Sequence, residues 1–500
     1  MSEWLKVHAW KACMDESSSG VQIPLSPHNI IMKKTKIIAT LGPSSSNRDI
    51  ISKMIDSGMN IARINMSHTS IDNAKELIII IREESKRLDA NLSIMMDLCG
   101  PKIRVNFLSI DEKFNFKEKQ ILTIGQGNVD IPVNYALDFS EMNDDAIIKI
   151  DDGKFSFRIK SFEKGILTVS CNEAGEIQNG KGINFPGLAL NIPAVTDKDL
   201  DNLELSLSLD VDWIALSFIR NVSDIAKVKD FFIRKGKSIP LIAKIEKSEA
   251  INNLDEIIDT VDGILVARGD LGVELPIKEL PILQKKIVNK CLYHHKPVII
   301  ATQMLETMIN DLSPTRAEVN DIANAIYDGV DAVMLSGETA VGKHPIESIN
   351  MMNSIAESVE KDFDLLNFSR YIHKHTIDRN DNRSSICHAA MTISNQMDVK
   401  GIVIMTDSGT TALKMAQYRP NATIFAISPH LKICQKLSLI WGIIAIHVNK
   451  YKYTDDMISK ATTILKNNKY ISKGDKFLIT AGVPIGISGS TNMIKIHVAD

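Results

Sequence analysis

The chain has 500 residues, 44% hydrophobic and 24% charged, with a formal net charge of −3; that is enough to bury more than one core, about three domains at typical sizes, and it gives no electrostatic reason to expect a nucleic-acid or membrane partner. Six cysteines (Cys13, Cys99, Cys171, Cys291, Cys387, Cys434) form no CxxC pair, which argues against zinc and a disulfide framework and fits a reducing cytoplasm. No run reaches the ~18 apolar residues of a membrane span, and Lys6, His8, Lys11, Asp15 and Glu16 interrupt the start of the chain, so neither an anchor nor a secretion signal is expected.

Residues 1–32, with Trp4, Trp10 and "ESSSG", read as an N-terminal extension. It is open whether they form an arm, a small helix packing on a neighbour, or translation from an upstream start codon. From Lys33 onward, short β-rich runs alternate with longer amphipathic segments, the pattern of βα units around a parallel sheet. "KIIATLG" (Lys36 to Gly42), "NIARINMS" (Asn60 to Ser67) and "SIMMDL" (Ser93 to Leu98) are the first three runs. The helical periodicity then disappears. "FNFKEKQILTIG", "AIIKIDDGKFSFRIKSFEKGILTVSC" and "NGKGINFPG" read as short strands joined by Gly and Asp turns, a small β domain inserted over 102–192. The βα rhythm resumes with "DWIALSF" (Asp212 to Phe218), "PLIAKIE" (Pro240 to Glu246), "DGILVARGD" (Asp262 to Asp270), "KPVIIATQ" (Lys296 to Gln303) and "DAVMLSGE" (Asp331 to Glu338).

Eight such runs predict a closed (β/α)8 barrel over 33–101 and 193–361, with its chemistry at the C-terminal ends of the strands. Those ends carry Thr40; Arg63, Asn65 and Ser67; Asp97; Ser217; Lys244 and Glu246; Arg268 and Asp270; Thr302 and Gln303; Ser336 and Glu338. One polar residue at a strand end is usually a turn former or a cap; recurrence at every strand points to a site. Side chains two apart on a strand share a side, so Lys244 falls with Glu246 and Arg268 with Asp270. Glu246 and Asp270 on neighbouring strands are then placed to share one hard divalent cation, with water and substrate oxygens completing a Mg2+ octahedron. Salt bridges on the barrel rim are the alternative. An insertion leaving the third strand end stands over this face, where it serves either as a lid that excludes water from phosphoryl transfer or as an accessory domain. The last segment, 362–500, alternates again ("GIVIMT", "TIFAIS", "GIIAIHV", "KFLITAG", "MIKIHVAD"), predicting a separate α/β domain. Its loops "TDSGTTA" and "AGVPIGISGSTN" suit phosphate.

The segments "TKIIATLGPSS", "GMNIARINMSH", "AKIE", "ILVARGDLGVELP", "ATQMLETMI", "PTRAEVNDIANAIYDGVDAVMLSGETAVGKHP" and "SGSTN" occur in an order and spacing that resemble the pyruvate kinases from Lys33 to the end. The resemblance implies transfer of the phosphoryl group of phosphoenolpyruvate to ADP, giving pyruvate and ATP, by a cytoplasmic homotetramer with a regulatory C-terminal domain. It implies Mg2+ or Mn2+ on Glu246 and Asp270; phosphate on Arg63; Lys244 at the transferring group and the enolate oxygen; and the substrate carboxylate at the backbone of Ala267, Gly269 and Asp270. Thr302 is implied to orient the water relay that protonates the enolate, with Ser336 and Glu338 further out. Pro43 and His68 would lie near the base of ADP, Arg104 and Lys181 near its phosphates, and Asp152 at the nucleotide-bound metal. A barrel lyase acting on a pyruvate enolate would use the same metal and cation but would need neither the lid nor Lys181 and Asp152.

Two departures from the family pattern stand out. Potassium-requiring relatives commonly read "DTKGPEIR" where this chain reads "DLCGPKIR", and bind the monovalent cation through residues matching Asn65, Ser67 and Asp97 and the threonine replaced by Leu98. With Lys102 in place of the glutamate, its ammonium is expected to substitute for potassium. The effector loop carries Asp407 and Thr410 rather than extra basic residues, which disfavours a bisphosphate and leaves a phosphorylated effector with a single phosphate, or no response.

Overall fold

The computed structural model describes residues 33–109, 111–139, 146–188, 190–362, 381–449, 453–483 and 491–500. The extension read over 1–32 and residues 484–490 of the second phosphate-suited loop lie outside these residues. Strands β1 (Lys36–Leu41), β2 (Ile61–Asn65) and β3 (Ser93–Asp97) precede the insertion. The insertion holds β4 (Lys113–Phe116), β5 (Ile121–Gly125), β6 (Ile131–Pro132), β7 (Ile147–Ile150), β8 (Phe155–Glu163), β9 (Ile166–Cys171), β10 (Gly175–Gln178) and β11 (Ile183–Asn184). After it come β12 (Trp213–Leu216), β13 (Leu241–Ile245), β14 (Gly263–Ala267), β15 (Val298–Ala301) and β16 (Ala332–Leu335). The eight expected barrel strands are these, and they close in parallel in the order β1-β16-β15-β14-β13-β12-β3-β2.

Alternation along the strands decides what faces inward. Ile38, Ile61, Met95, Trp213, Ile242 and Leu265 fill the barrel, while their neighbours Ile37, Ala62, Ile94, Ile214, Ala243 and Ile264 pack outward on the helices. Continuing the inward parity to the C-terminal strand ends delivers Thr40, Arg63, Asp97, Ser217, Lys244 and Glu246 to one enclosed space. The apolar filling below them is what makes that space the floor of a site rather than a pore.

One strand is shorter than expected. Arg268 and Asp270 do not continue β14; they open a helix, Arg268–Glu274. Ala267 turns the chain, with φ −91° and ψ 85°, and Arg268 leaves the barrel interior to pair with Asp321, its Nη1 2.6 Å from Oδ2. Arg268 and Asp270 therefore do not share a side as strand alternation implied.

The insertion forms a six-stranded sheet, β11-β7-β8-β9-β5-β6, and a β10-β4 pair. Bridges from Arg104 to Gly182 and from Val105 to Val133 tie the chain entering the insertion to both edges of the larger sheet, leaving few free edge groups. Residues Gly401–Met405 (β17), Thr423–Ser428 (β18), Ile443–His447 (β19), Lys476–Gly482 (β20) and Thr491–Val498 (β21) make a last sheet ordered β19-β18-β17-β20-β21, parallel except for β20 with β21. The core inside the barrel and part of the core of this sheet form one cluster, which includes Leu439 and Ile440. Across that junction Arg419, buried, pairs with Asp331 at the start of the eighth barrel strand, 3.1 Å apart.

Candidate active site

Asp97 is the hub of the barrel mouth. Its Oδ2 accepts from Arg63 Nε at 2.8 Å, and Lys244 Nζ stands 3.3 Å from its Oδ1. Arg63 also donates to Thr40 Oγ1 at 2.8 Å, and Lys244 to Ser217 Oγ at 2.9 Å. Two cations are thus held on one buried carboxylate, which fixes their directions. Burial would raise Asp97, but Lys244 and Arg63 outweigh it and hold the carboxyl below its usual range. For Lys244, burial would lower the ammonium; Asp97 and Glu246 prevail and hold it above the usual lysine range, so it stays charged.

Glu246 accepts from the Phe218 backbone N–H through Oε2 at 2.7 Å. Its Oε1 is buried and lies 2.9 Å from Lys244 Nζ, an ion pair. Burial pushes this carboxyl up; Lys244 opposes that and the Asp270 carboxylate adds to it. A buried carboxylate beside a second carboxylate that repels it is a donor set a hard divalent cation would satisfy. Among the described residues no three His, Cys, Asp or Glu side chains converge as a metal cage. Two carboxylates would supply only part of a coordination shell, the rest falling to water or an anionic ligand, as Mg2+ favours.

The other expected residues fall around this centre. Asp270 Oδ1 accepts from Lys102 Nζ at 3.0 Å, and Lys102 also lies over the Phe218 ring. Lys102 thus reaches Asp270 rather than Asn65, Ser67 or Asp97; Asn65 instead accepts from the Ser67 N–H. Thr302 and Gln303 both have positive φ, 69° and 54°. For a β-branched residue that is strained backbone, a cost of roughly 1–3 kcal/mol that persists where the surroundings demand it. It aims Thr302 Oγ1 at the Gly269 N–H, 2.8 Å away, so the Gly269 amide is already engaged by Thr302. Both carboxylate oxygens of Glu338 accept backbone N–H groups, from Leu305 and Ser336, which makes it a brace for the eighth strand end carrying Ser336.

Two cavities adjoin the barrel mouth. One of about 530 Å3 lies between the barrel and the insertion, lined by Ser67, Cys99, Lys102, Arg104, Tyr135 and Lys198 among others. The other, about 320 Å3, is lined by Pro43, His68, Asn73 and Glu76 among others. His68 is lowered by burial and by Arg104, Arg63, Lys102 and Lys198, four cations whose summed field suits a polyanion. Lys198 was not singled out in the sequence because it sits in an ordinary acidic helix start, "TDKDL"; only the fold brings it here. Arg104 Nη1 donates to the Gly180 carbonyl at 2.9 Å, and Lys181 pairs with Asp151 at 2.7 Å, while its neighbour Asp152 is exposed at the turn. In the last domain, Arg383 Nη1 donates to Thr410 Oγ1 at 3.1 Å, placing one cation at the "TDSGTT" loop.

Comparison with known proteins gives a consistent result. The family models described as pyruvate kinase, barrel domain, and pyruvate kinase, alpha/beta domain, match residues 32–349 and 384–497. A pyruvate kinase of Staphylococcus haemolyticus is 38% identical over 475 residues, covering 93% of this chain and 80% of that protein. One from Staphylococcus aureus strain MRSA252 is 37% identical with the same coverage. The crystal structure of a pyruvate kinase from Cryptosporidium parvum superposes with a TM-score of 0.88 at 33% identity, over 94% of this chain and 96% of that one.

Proposed function

Because the chain belongs to the pyruvate kinase family, which transfers the phosphoryl group of phosphoenolpyruvate to ADP to give pyruvate and ATP at the end of glycolysis, we propose that Glu246 and Asp270 hold its divalent cation, Mg2+ or Mn2+, and that Lys244 is the fixed charge for the transfer. The burial of the Glu246 carboxylate beside Lys244, with the Asp270 carboxylate repelling it, carries this reading. The cation, when bound, supplies Lewis-acid stabilisation of phosphoryl and enolate oxygens. Arg63, clamped by Asp97 and Thr40, offers the phosphate a preoriented guanidinium. Lys244 is placed for the bridging oxygen, which gains negative charge as its bond to phosphorus breaks and so becomes the enolate oxygen. Thr302 orients the proton delivery to the enolate carbon, and Ser336 borders that space; a threonine hydroxyl is too weak an acid to be the source by itself. The carboxylate of phosphoenolpyruvate is received at Ala267, Gly269 and Asp270, which requires the Gly269 N–H to exchange Thr302 Oγ1 for the ligand.

ADP occupies the two adjoining cavities, its base by Pro43 and His68 and its phosphates by Arg104 and Lys181. Asp152 reaches the nucleotide-bound metal when the insertion, residues 102–192, closes as a lid over the barrel of 33–101 and 193–361. Lys102 replaces a monovalent cation, so potassium is not required; the ammonium beside Asp270 and the loss of the hydroxyl at Leu98 support this. The enzyme works as a cytoplasmic homotetramer whose domain 362–500 takes a monophosphate effector. Four of the five described cysteines are buried and all five are free, in keeping with a reducing compartment, and among the described residues no helix is long and apolar enough to cross a membrane.

A lactate dehydrogenase coupled assay tests the reading: pyruvate should form only with phosphoenolpyruvate, ADP and Mg2+ or Mn2+ together. ADP-independent turnover would favour an enolate lyase instead. Sedimentation at assay concentration tests the tetramer.

A further inference from the structure

The helix that carries Asp270 is fastened at its far end. Glu274, its last residue, is buried, and its Oε1 accepts from Lys247 Nζ at 2.6 Å and from Asn184 Nδ2 at 3.0 Å. Lys247 follows Glu246 directly at the end of the fifth barrel strand. Asn184 closes β11 of the insertion and is itself buried. One oxygen therefore joins the helix bearing Asp270, the strand end bearing Glu246, and the insertion. The insertion holds the same helix at two more points, through Lys149 Nζ to the Val273 carbonyl at 2.6 Å and Lys102 to Asp270.

Such a tie has work to do. Glu246 and Asp270 repel each other in the absence of a cation, and the helix between Ala267 and Leu275 is only seven residues long, too short to resist that repulsion by its own backbone. Mg2+ tolerates little departure from octahedral geometry, so a small drift of Asp270 weakens the site.

We propose that Glu274 is a positioning residue that couples seating of the insertion to the spacing of Glu246 and Asp270, so that the divalent cation is held tightly only while the insertion is docked. This rests on the reading of Glu246 and Asp270 as metal ligands, and the experiment separates the two. Mn2+ alone is the probe, with free Mn2+ read by electron paramagnetic resonance and backbone exchange of residues 146–188 read by mass spectrometry, on the full chain. Glu274→Gln keeps size but loses the charge facing Lys247; it should weaken Mn2+ about tenfold, as loss of a partner supporting a metal ligand typically does, and speed exchange around β11. Asn184→Ala leaves the Lys247–Glu274 pair intact and serves should Glu274→Gln fail to fold. It should speed exchange in the insertion and weaken Mn2+ about threefold at an unchanged melting temperature, which a purely structural role would not do. Mn2+ affinity within twofold of wild type in either folded variant overturns the proposal. Wild-type Mn2+ binding indifferent to Glu246→Gln overturns the metal assignment itself, and this coupling with it.

Discussion

Burying Lys244 alone would cost several kcal/mol; Asp97 on one side and Glu246 on the other make it tolerable and keep it charged. Removing it should therefore act twice. Lys244→Met should lower turnover more than about a thousandfold, the scale of a lost oxyanion donor, and lower stability by about 3–5 kcal/mol because Glu246 is left uncompensated. Coupled turnover and denaturant unfolding of the same preparation read both effects. Turnover within tenfold of wild type would remove Lys244 from the mechanism. At the other end of the barrel, Lys36 is buried with its Nζ donating to the Ile443 carbonyl at 2.7 Å, and burial lowers it to about 8 against partial support from Glu360 and Asp331. The unfolded chain then binds more protons than the folded one from about pH 8 up to the ordinary lysine range, so this residue makes stability rise with pH across that window, on the order of 2 kcal/mol. Below pH 8 both states are protonated and the contribution is flat. Unfolding free energies at pH 8 and pH 10 should show a smaller rise in Lys36→Met than in wild type. An equal rise would mean that Lys36 does not titrate in the folded state.

Residue by residue, the legible positions were those at strand ends, because inward parity is a property of local sequence: Arg63, Asp97, Lys244 and Glu246 needed only the alternation of their own strands. Lys198, Lys247 and Glu274 were not legible. Each looks like an ordinary charge on a helix or turn, and what makes it matter is a partner from a distant segment, 90 positions away for Asn184 and Glu274.

Among the elements, the segment between β3 and the insertion is the informative one. Strand β3 was readable because it is a fully buried apolar run, and so were the other seven barrel strands. At the end of β14 strand alternation alone puts Arg268 beside Asp270, whereas residues Arg268–Glu274 are a helix and Arg268 pairs with Asp321; only the family resemblance implies a helical turn there. Past Gly100, Lys102 reaches Asp270 instead of the Asn65 and Asp97 positions, so its charge lies beside Asp270. Appreciable turnover is expected with Mg2+ in buffers free of potassium, ammonium and sodium. Lys102→Glu should create a response to potassium, alone or with Leu98→Thr. A potassium stimulation of wild type above about tenfold, ~1.4 kcal/mol of barrier, would show that the lysine does not do potassium's work.

For the whole molecule, the last domain is packed against the barrel base rather than tethered to it. The shared core and the Arg419–Asp331 pair join this domain to the start of the eighth strand, whose far end carries Ser336. With Arg383 as the cation at that loop and Asp407 beside it, fructose 1,6-bisphosphate should leave half-saturating phosphoenolpyruvate unchanged, or a monophosphate should lower it in its place. A large fall with the bisphosphate, seen in saturation curves at fixed ADP, would contradict this.

The closure of the barrel also sets a timetable. Lys36 of β1 pairs with Ala332 of β16, about 300 residues later, so during synthesis at about 5–20 residues per second the first strand emerges from the ribosome roughly 15–60 s before the strand that completes it. Throughout that interval the nascent sheet keeps an open strand edge, whose unpaired backbone groups other chains can pair with.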